Sequence, residues 1–567
     1  MKIAIAQQNY HIGNFEYNIN KIINAIERAK EDNVDLIVFS ELSVCGYPPR
    51  DFLEFDDFIG KCYESIEHIK SHTEGIGVII GAPQKNPVAE GKDLFNSALF
   101  LYNKEIIGIA HKSLLPTYDV FDEYRYFEPT NEWNIIEFKG ERIALTICED
   151  IWNLTKNPLY RISPMDLLIE QKPTLLINIT ASPFDYDHDD DRKEIILANI
   201  RHYHLPMIYC NTVGVQTEII FDGGSLVFDR DGRVCKELKY FEEDFCIFNT
   251  EDLEQRKLDE VRNFEFIDER VVTLKNSDKV IQYLTTQKNI SQIHKALILG
   301  VRDYFSKMGF SKAILGASGG IDSAVVQSVA VEALGKENVH VLLMPSDFSS
   351  SHSIADAEQL NKNLGNTYDI VPIAAIYNQF LTTLHPIFQD LPFNIAEENI
   401  QSRIRGNLLM ALANKFKYIL LNTSNKSELA VGYGTLYGDM AGGLSVLGDI
   451  YKMQIFSLAK YINRESEIIP ANILSKPPSA ELHPGQKDSD SLPEYEILDR
   501  VLYEYIERRN GPKEIIALGY DEQLVARILK LVNTAEYKRN QFCPILRMSR
   551  KAFGVGRRIP IVAQYLS

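Results

Sequence analysis

KAILGASGGIDSA, residues 312–324, decides the fold of the C-terminal half of the chain. Its apolar first half predicts a buried strand, and a helix is predicted from about residue 321. Glycines let the backbone turn tightly between the two, so consecutive N–H groups and a helix N-terminus can face an anion. The hydroxyls of Ser318 and Ser323 add further donors. The turn is therefore a candidate phosphate-binding loop, although it lacks the GK[ST] element of a Walker A loop.

Strands and helices alternate on both sides of this turn. Further strands are predicted at VHVLLM (339–344), TYDIVPI (367–373) and KYILLN (417–422). Helices are predicted near 291–307, 353–363, 397–415, 493–508 and 521–533. Alternating strands and helices are typical of a doubly wound parallel sheet, so residues 291–567 are predicted to form such a domain.

The N-terminal half reads as a second α/β domain, residues 1–250, built mostly around strands. Its apolar β-type runs lie at 2–7, 34–41, 76–80, 97–102, 142–147, 174–179, 207–210 and 224–228. Helical spacing of apolar residues appears at 17–31 and 191–204. Residues 251–290 lack strong periodicity and are rich in charge, which predicts a linker between the two domains.

Three polar residues follow apolar runs of the first domain, namely Glu41, Lys112 and Cys148. A thiol is nucleophilic as the thiolate, and a nearby carboxylate can accept its proton. A lysine ammonium can stabilise the oxyanion formed when the thiolate attacks a carbonyl carbon. Taken singly, each residue has a plainer explanation: an inert buried thiol, a solvated loop acid or a surface lysine. Taken together, they favour cleavage of an amide bond through a thioester.

The contexts of these residues, VFSELSVCGYPPRD, IIGIAHKSLLP and IALTICEDIWN, resemble the nitrilase superfamily. The resemblance covers residues 1 to about 250 and implies a four-layer α-β-β-α sandwich. It makes Glu41 the general base, Lys112 the oxyanion partner and Cys148 the nucleophile, with Glu123 as an accessory glutamate. Glutamine-using members imply further substrate contacts, here Tyr118, Ser182 and the basic position at His188. Arg192 is the alternative source of that positive charge, and the aspartates around His188 can equally belong to a solvated loop.

The SGGIDS turn resembles the pyrophosphate loop of the ATP pyrophosphatases, which cleave ATP to AMP and pyrophosphate. Pyrophosphate is then the leaving group, and no lysine bridging the γ-phosphate is required. The resemblance implies a set of ATP-binding residues: Gly316, Ala317, Ser318, Gly319, Gly320, Ile321, Asp322, Ser323 and Thr423.

ILLNTSNKSELAVGYGTLYGDMAGG, residues 419–443, resembles the NAD synthetases. It implies a Mg²⁺ site formed by Asp322 and Glu428, since two carboxylates plus phosphate oxygens and water are a usual magnesium set. Two plainer roles stay open: the Asn, Thr and Ser residues can cap the helix near Lys426, and Asp322 can stabilise a helix N-terminus. Contacts to deamido-NAD are implied for Asn399, Glu428, Tyr433, Gly434, Thr435, Leu436 and Lys538.

The C-terminal region extends the resemblance. SKPPSAEL (475–482) and residues 537–561 resemble the part of NAD synthetases that closes over the substrate. Lys and Arg residues concentrated between 538 and 558 would attract a diphosphate locally. The alternative is a solvated basic tail, but Phe542, Pro544, Phe553 and Ile559 favour a packed segment.

Composition narrows the classes of partner and cellular location that the chain can have. The net charge of −18 argues against a nucleic-acid partner, and no run of about 18 apolar residues suggests a membrane span. The seven cysteines form no CxxC pair, and the N-terminus has no signal-peptide pattern. Reduced thiols and a cytoplasmic location are expected.

The two chemistries are most simply linked by nitrogen transfer. The resemblance to the glutamine-dependent NAD synthetase family spans nearly the whole chain and implies glutamine, ATP and deamido-NAD as substrates. Because free ammonia is mostly protonated at neutral pH, a buried ammonia passage is the favoured hypothesis. A homo-oligomer, at least a dimer, is expected by family analogy. The alternatives are another glutamine amidotransferase of the ATP pyrophosphatase family, an amidase fused to a nucleotide sensor, and a non-catalytic scaffold.

Overall fold

The computed structural model describes residues 1–154, 158–186, 188–253, 278–389, 391–483 and 485–566. The chain forms two compact units, Met1–Ile267 and Asp268–Ser567. None of the helices within these described ranges is both long enough and apolar enough to cross a bilayer.

The first unit contains two six-stranded mixed sheets and a small hairpin. Its strands are β1 (Lys2–Gln7), β2 (Leu36–Val38), β3 (Gly77–Lys85), β4 (Leu94–Tyr102), β5 (Glu105–His111), β6 (Ile136–Phe138), β7 (Glu141–Ile147), β8 (Leu175–Thr180), β9 (Met207–Asn211), β10 (Val213–Gln216), β11 (Ile219–Asp222), β12 (Leu226–Phe228), β13 (Val234–Glu237) and β14 (Asp244–Asn249). Its helices are α1 (Phe15–Glu31), α2 (Asp56–Ser71), α3 (Pro164–Leu168) and α4 (His188–Tyr203). One sheet has the order β14-β1-β2-β3-β4-β5 and the other β13-β12-β9-β8-β7-β6.

The two sheets pack face to face, with helices on both outer faces. Ile5 and Val38 of one sheet share a core cluster with Leu145 and Ile177 of the other. Helices α1 and α2 cover the first sheet, and α3 and α4 cover the second. This is the predicted α-β-β-α sandwich, and that prediction is confirmed.

Sequence periodicity does not single out several peripheral strands, of which β5 matters most because it leads into Lys112. Its isoleucines at 106, 107 and 109 are each more than a third exposed, so the strand lacks the alternation of buried and exposed residues that marks a half-buried strand. Strand β5 lies at the edge of its sheet, which explains this exposure.

The second unit is built on one parallel sheet. Its strands are β15 (Ala313–Gly316), β16 (Val339–Leu343), β17 (Thr367–Ile370), β18 (Ile419–Asn422) and β19 (Leu444–Ser445). Its helices are α5 (Asp278–Leu284), α6 (Gln287–Met308), α7 (Ile321–Leu334), α8 (Ser351–Leu364), α9 (Ala374–Phe388), α10 (Ile395–Phe416), α11 (Lys426–Val431), α12 (Lys452–Ile462), α13 (Ala471–Ser475), α14 (Tyr495–Ile506), α15 (Pro512–Ala517), α16 (Glu522–Thr534) and α17 (Glu536–Arg539).

All four strand pairings of this sheet are parallel, in the order β17-β16-β15-β18-β19. Helix α10 packs on Ile314 and Leu420, while α6, α7 and α12 pack together as another helical layer. The strand order reverses direction at β15, between β16 and β18. Ligands of open α/β sheets bind at such a switch point, beyond the carboxyl ends of the strands. The predicted doubly wound sheet is confirmed.

Most of the predicted linker 251–290 lies outside the described residues, which resume at 278. From there the chain is already helical, in α5 and the first turn of α6. Val280 and Leu284, one helical turn apart, are fully buried, so α5 belongs to the packed unit and not to a solvated linker. The domain limits 1–250 and 291–567 stay predictions.

Candidate active sites

Three strand ends of the first unit bring acid, amine and thiol together. Glu41 follows β2, Lys112 follows β5 directly, and Cys148 follows β7 directly. The Lys112 Nζ donates to Glu41 Oε1 at 2.8 Å and to Glu123 Oε1 at 2.8 Å. All four side chains are at most 5% exposed. Burying an ammonium between two carboxylates costs free energy unless every charge is paired. A buried charged cluster of this kind is typical of a functional site.

Neutral and backbone donors fix the two carboxylates. Glu41 accepts from Asn96 Nδ2 at 2.7 Å and, through its other oxygen, from the Ala181 N–H at 2.9 Å. Glu123 accepts from the Tyr47 hydroxyl at 2.7 Å. These bonds leave Glu41 little rotational freedom, as a positioned proton acceptor requires.

The electrostatics leave the thiol protonated at rest. Burial, and then the Glu41 carboxylate, raise the pKa of Cys148 well above its usual value, with Lys112 opposing them. Burial likewise raises the pKa of Glu123 to about 7, opposed by Lys112 and reinforced by Glu41. Attack by Cys148 therefore requires its proton to leave with the reaction, and Glu41 is the carboxylate whose charge it feels most.

The backbone at Cys148 is strained. Its φ of +43° lies in the left-handed region, which a residue with a Cβ rarely adopts. Cys148 opens a short 3₁₀ turn, Cys148–Ile151, immediately after β7. Strained residues of this kind persist where surrounding contacts hold them, commonly at functional sites. The arrangement can form a thioester from an amide, with Lys112 placed for the oxyanion.

Two of the predicted glutamine contacts, Ser182 and His188, touch each other. Ser182 Oγ lies 2.6 Å from His188 Nε2, and the imidazole stacks on Trp152 with ring centroids 5.2 Å apart. Tyr118 donates its hydroxyl to both oxygens of Glu149, the residue after Cys148, at 3.0 Å. Tyr118 thus contacts the turn that carries Cys148, and His188 contacts Trp152, the residue that follows this turn.

Arg192 is committed elsewhere. Its guanidinium is fully buried and donates to Asp222 Oδ1 at 2.8 Å and to the Gly223 carbonyl at 3.1 Å. Burial opposes its charge, but Asp222 keeps the pKa of Arg192 above its usual value. The structure therefore pairs Arg192 with Asp222, and it is His188 that contacts Ser182.

The second unit has a cavity of about 280 Å³ at the carboxyl ends of β15 and β18. Predicted ATP-binding residues line it: Gly316, Ala317, Ser318, Gly320, Ile321, Asp322, Ser323 and Thr423. Gly319, the remaining residue of the predicted ATP-binding set, packs against the backbone of Ser353. Its φ is +74°, and a Cβ there would lie 2.3 Å from the Ser353 carbonyl oxygen, so only glycine fits.

Two carboxylates in this cavity share a buried lysine. Lys452 Nζ bonds to Asp322 Oδ2 and lies 3.5 Å from Glu428 Oε1, and only 2% of the lysine side chain is exposed. Asn425 donates to the other oxygen of Asp322 at 2.9 Å. Burial raises the pKa of Glu428 to about 8, opposed by Lys452 and reinforced by Asp322 and Asp488. Asp322 and Glu428 therefore point at a common cation position.

Comparisons with known proteins agree with this geometry. The NAD synthase family model matches residues 293–542, and the carbon-nitrogen hydrolase model matches residues 2–255. The glutamine-dependent NAD(+) synthetase of Synechocystis is 43% identical over 99% of this chain and 99% of its own length. That of Thermotoga maritima is 39% identical over 100% and 99%. The chain belongs to the glutamine-dependent NAD(+) synthetase family.

A solved structure of this family supports the assignment. The glutamine-dependent NAD(+) synthetase of Acinetobacter baumannii, in complex with ADP, is 35% identical and superimposes with a TM-score of 0.74 over 99% of this chain and 98% of its own. The activity of this chain is accordingly that of a glutamine-dependent NAD synthetase. The predicted family, fold and enzyme class are confirmed.

The residues predicted to contact deamido-NAD fall into two groups. Glu428 and Tyr433 line the cavity. Asn399, Gly434, Thr435, Leu436 and Lys538 bond among themselves and to neighbours. The Thr435 hydroxyl donates to Asn399 Oδ1 at 2.6 Å, and Lys538 Nζ donates to the Gly432 and Gly434 carbonyls at 2.7 and 2.8 Å. The Leu436 carbonyl accepts from Arg403 Nε at 3.3 Å.

The basic cluster between 538 and 558 is largely structural. Arg539 and Arg557 both donate to Glu536 Oε2 at 2.7 Å and stack over Phe553, and Arg547 is buried. These guanidinium groups are engaged inside the fold. These three arginines therefore belong to a packed segment and not to a solvated basic tail, and attraction of a diphosphate by the cluster stays a prediction.

Sequence reasoning missed Lys452, and also Arg405 and Asp488, which line the same cavity. Lys452 and Asp322 are 130 residues apart, and nothing in the local sequence pairs them. The predicted closing region, 475–482, did carry a usable signal, because residues 476–482 line the cavity.

Proposed function

We propose that Cys148, Glu41 and Lys112 release ammonia from glutamine, and that the cavity above β15 uses ATP to attach it to deamido-NAD. The observation that carries the first half is the Lys112 ammonium, fully buried between Glu41 and Glu123 beside a thiol in a strained turn. A merely structural ion pair does not explain the strained nucleophile next to it.

The glutaminase steps balance with these groups. The Cys148 sulfur attacks the side-chain amide carbon of glutamine as its proton moves to Glu41, and Lys112 stabilises the oxyanion. Collapse of the tetrahedral species breaks the C–N bond, and Glu41 returns the proton to the leaving ammonia. Water, deprotonated by Glu41, then hydrolyses the thioester to glutamate and free thiol.

In the synthetase unit, the Gly-rich turn is suited to hold the leaving pyrophosphate. The carboxylate of deamido-NAD attacks the α-phosphorus of ATP, and pyrophosphate departs onto the N–H groups that begin α7. Ammonia then attacks the adenylated carboxyl carbon and displaces AMP, giving the carboxamide of NAD. Since protonated ammonia is not nucleophilic, delivery in the neutral form through a sheltered passage remains part of the proposal.

The donor set fits Mg²⁺. Asp322 and Glu428 supply two hard oxygen ligands that converge on one position, which the Lys452 ammonium occupies in this structure and would leave to the ion. Within the described ranges, His, Cys, Asp and Glu residues form no metal-binding group of three or more. Asp322 and Glu428 would thus hold the ion together with phosphate oxygens and water, and the ion would neutralise charge on the departing pyrophosphate.

An oligomer is also part of the proposal. Apolar side chains at the end of α9, in the segment that follows it and at the first position of α10 are at least half exposed: Ile387, Leu391, Phe393 and Ile395. An apolar patch of this kind supports burial against a second copy of the chain.

Recognition of glutamine is testable at His188. With Ser182 it forms a polar pair beside the Cys148 turn, suited to the α-carboxylate of the amino acid. We expect His188→Ala to raise the KM for glutamine about tenfold, since hydrogen bonds to charged groups contribute roughly 1.5–3 kcal/mol. Steady-state rates at varied glutamine measure this.

The matched control is His202→Ala, at the exposed end of the same helix, where the side chain is 60% exposed. It should leave the KM for glutamine unchanged. Equal values for the parent and His188→Ala would remove His188 from the glutamine site.

The reaction itself is tested by its products. Purified protein with glutamine, ATP, Mg²⁺ and deamido-NAD should form NAD, AMP and pyrophosphate in equal amounts, with glutamate at least equal to NAD. Chromatography of the quenched mixture measures all of them. Formation of ADP in place of AMP would refute the adenylation step, and NAD formation without AMP would favour a different activation.

A further inference from the structure

Asp150 joins two segments of the first unit that are far apart in sequence. Its Oδ1 accepts from the N–H groups of Ser113 and Leu114, each at 2.9 Å. Its Oδ2 accepts from the Ile147 N–H at 3.0 Å. The side chain is 4% exposed. One buried carboxylate thus holds the backbone just after Lys112 and the backbone just before Cys148.

A capping role alone does not account for these bonds. Asp150 caps the Cys148–Ile151 turn through Ile147, and such a cap needs one acceptor. The other two donors lie 36 and 37 residues away in the chain, on the segment that leaves β5. Other side chains bond to the turn without joining it to the Lys112 segment: Asn178 donates to the Cys148 carbonyl at 3.4 Å and Asn199 to the Ile151 carbonyl at 2.8 Å.

We infer that Asp150 is a positioning residue for glutamine hydrolysis, fixing the Lys112 segment against the strained Cys148 turn. The inference rests on the proposed roles of Cys148 and Lys112. Ground-state binding of glutamine depends on other residues, whereas the oxyanion forms only when sulfur and ammonium are correctly spaced. Loss of this spacing should therefore act on kcat and leave KM nearly unchanged.

Asp150→Asn is the informative change. It keeps the shape and one acceptor oxygen, but turns an N–H₂ group toward either Ile147 or the Ser113–Leu114 pair. We expect kcat for glutamate formation to fall about 100-fold, the scale of a misplacement of about 1 Å. The KM for glutamine should move less than about threefold, and NAD formation from ammonium salt should stay as in the parent.

The matched control is Asp229→Asn. Asp229 is also 4% exposed and also accepts from two backbone N–H groups, those of Asp231 and Arg233 at 2.9 and 2.8 Å, in a turn that carries no site residue. Both bonds go to one oxygen, which asparagine retains, so this variant should change kcat less than about twofold. If Asp150→Asn does not fold, Asp150→Glu is measured instead, with the same loss of kcat expected.

A selective loss of kcat in the Asp150 variant, absent from the Asp229 variant, supports positioning. Equal kcat values for both variants, whether preserved or reduced, would overturn it, because Asp150 would then be one buried cap among others. A shift of KM without a change in kcat would also overturn it. If the proposed role of Cys148 is wrong, replacing Cys148 itself would leave glutamine hydrolysis intact. That result distinguishes failure of the proposed function from failure of the positioning role of Asp150.

Discussion

Cys148→Ala is expected to abolish glutamine-supported NAD formation, by about 10⁴-fold or more, while ammonium-supported formation continues. The reason is that Cys148 is the proposed nucleophile that forms the acyl intermediate, whereas adenylation is proposed for the other compact unit. Initial rates of NAD formation, measured with glutamine and then with an ammonium salt, give both values.

Cys246→Ala is the control for loss of a thiol. Cys246 lies in β14 of the same unit, partly buried and remote in sequence from the three site residues. It should support NAD formation from either nitrogen source at the parent rate. A loss of glutamine-supported activity in this variant would show that Cys148 is the wrong cysteine for the nucleophile.

Asp322→Ala is expected to lower NAD formation by about 100-fold or more with both nitrogen sources. The change removes one of the two carboxylates at the common cation position and leaves Lys452 paired only with Glu428. Without that carboxylate, the charge developing on pyrophosphate is poorly neutralised. Rates measured over a range of Mg²⁺ concentrations should also show a higher half-saturation point.

The control here is Asp356→Ala, an acid on α8 of the same unit whose carboxylate accepts from Asn472 at 2.6 Å near the surface. Its rates and its Mg²⁺ dependence should match those of the parent. Retained activity in Asp322→Ala, at unchanged Mg²⁺ half-saturation, would exclude Asp322 from the metal site.

Local patterns sufficed to predict the candidate site residues, although periodicity did not single out strand β5 before Lys112. Glu41, Lys112 and Cys148 each follow an apolar run, and the glycine turn before α7 follows another. In α/β sheets, polar loops at strand ends are where functional side chains gather, so sequence order alone indicates candidates. The parallel order of the second sheet followed from the same alternation.

Contacts between distant segments were not predictable in the same way. Lys452 lies at the start of α12, outside the motifs that the sequence analysis quotes, and its partners are 24 and 130 residues away. In the sequence, Asp150 is only an acidic residue two positions after Cys148. Its bonds to residues 113 and 114 are seen only in the folded structure. Lys538 is a further example, because its partners are the backbone carbonyls of the 432–434 turn, which only the folded chain brings beside α17.

The ratio of glutamine-supported to ammonium-supported NAD formation, compared between the parent and Cys148→Ala in parallel preparations, tests the division of labour most directly. It should fall about 10⁴-fold in the variant, with the ammonium-supported rate within about twofold of the parent. A ratio that stays constant, because both rates persist or both decline together, would contradict the claim that the thiol releases the nitrogen used at the ATP site.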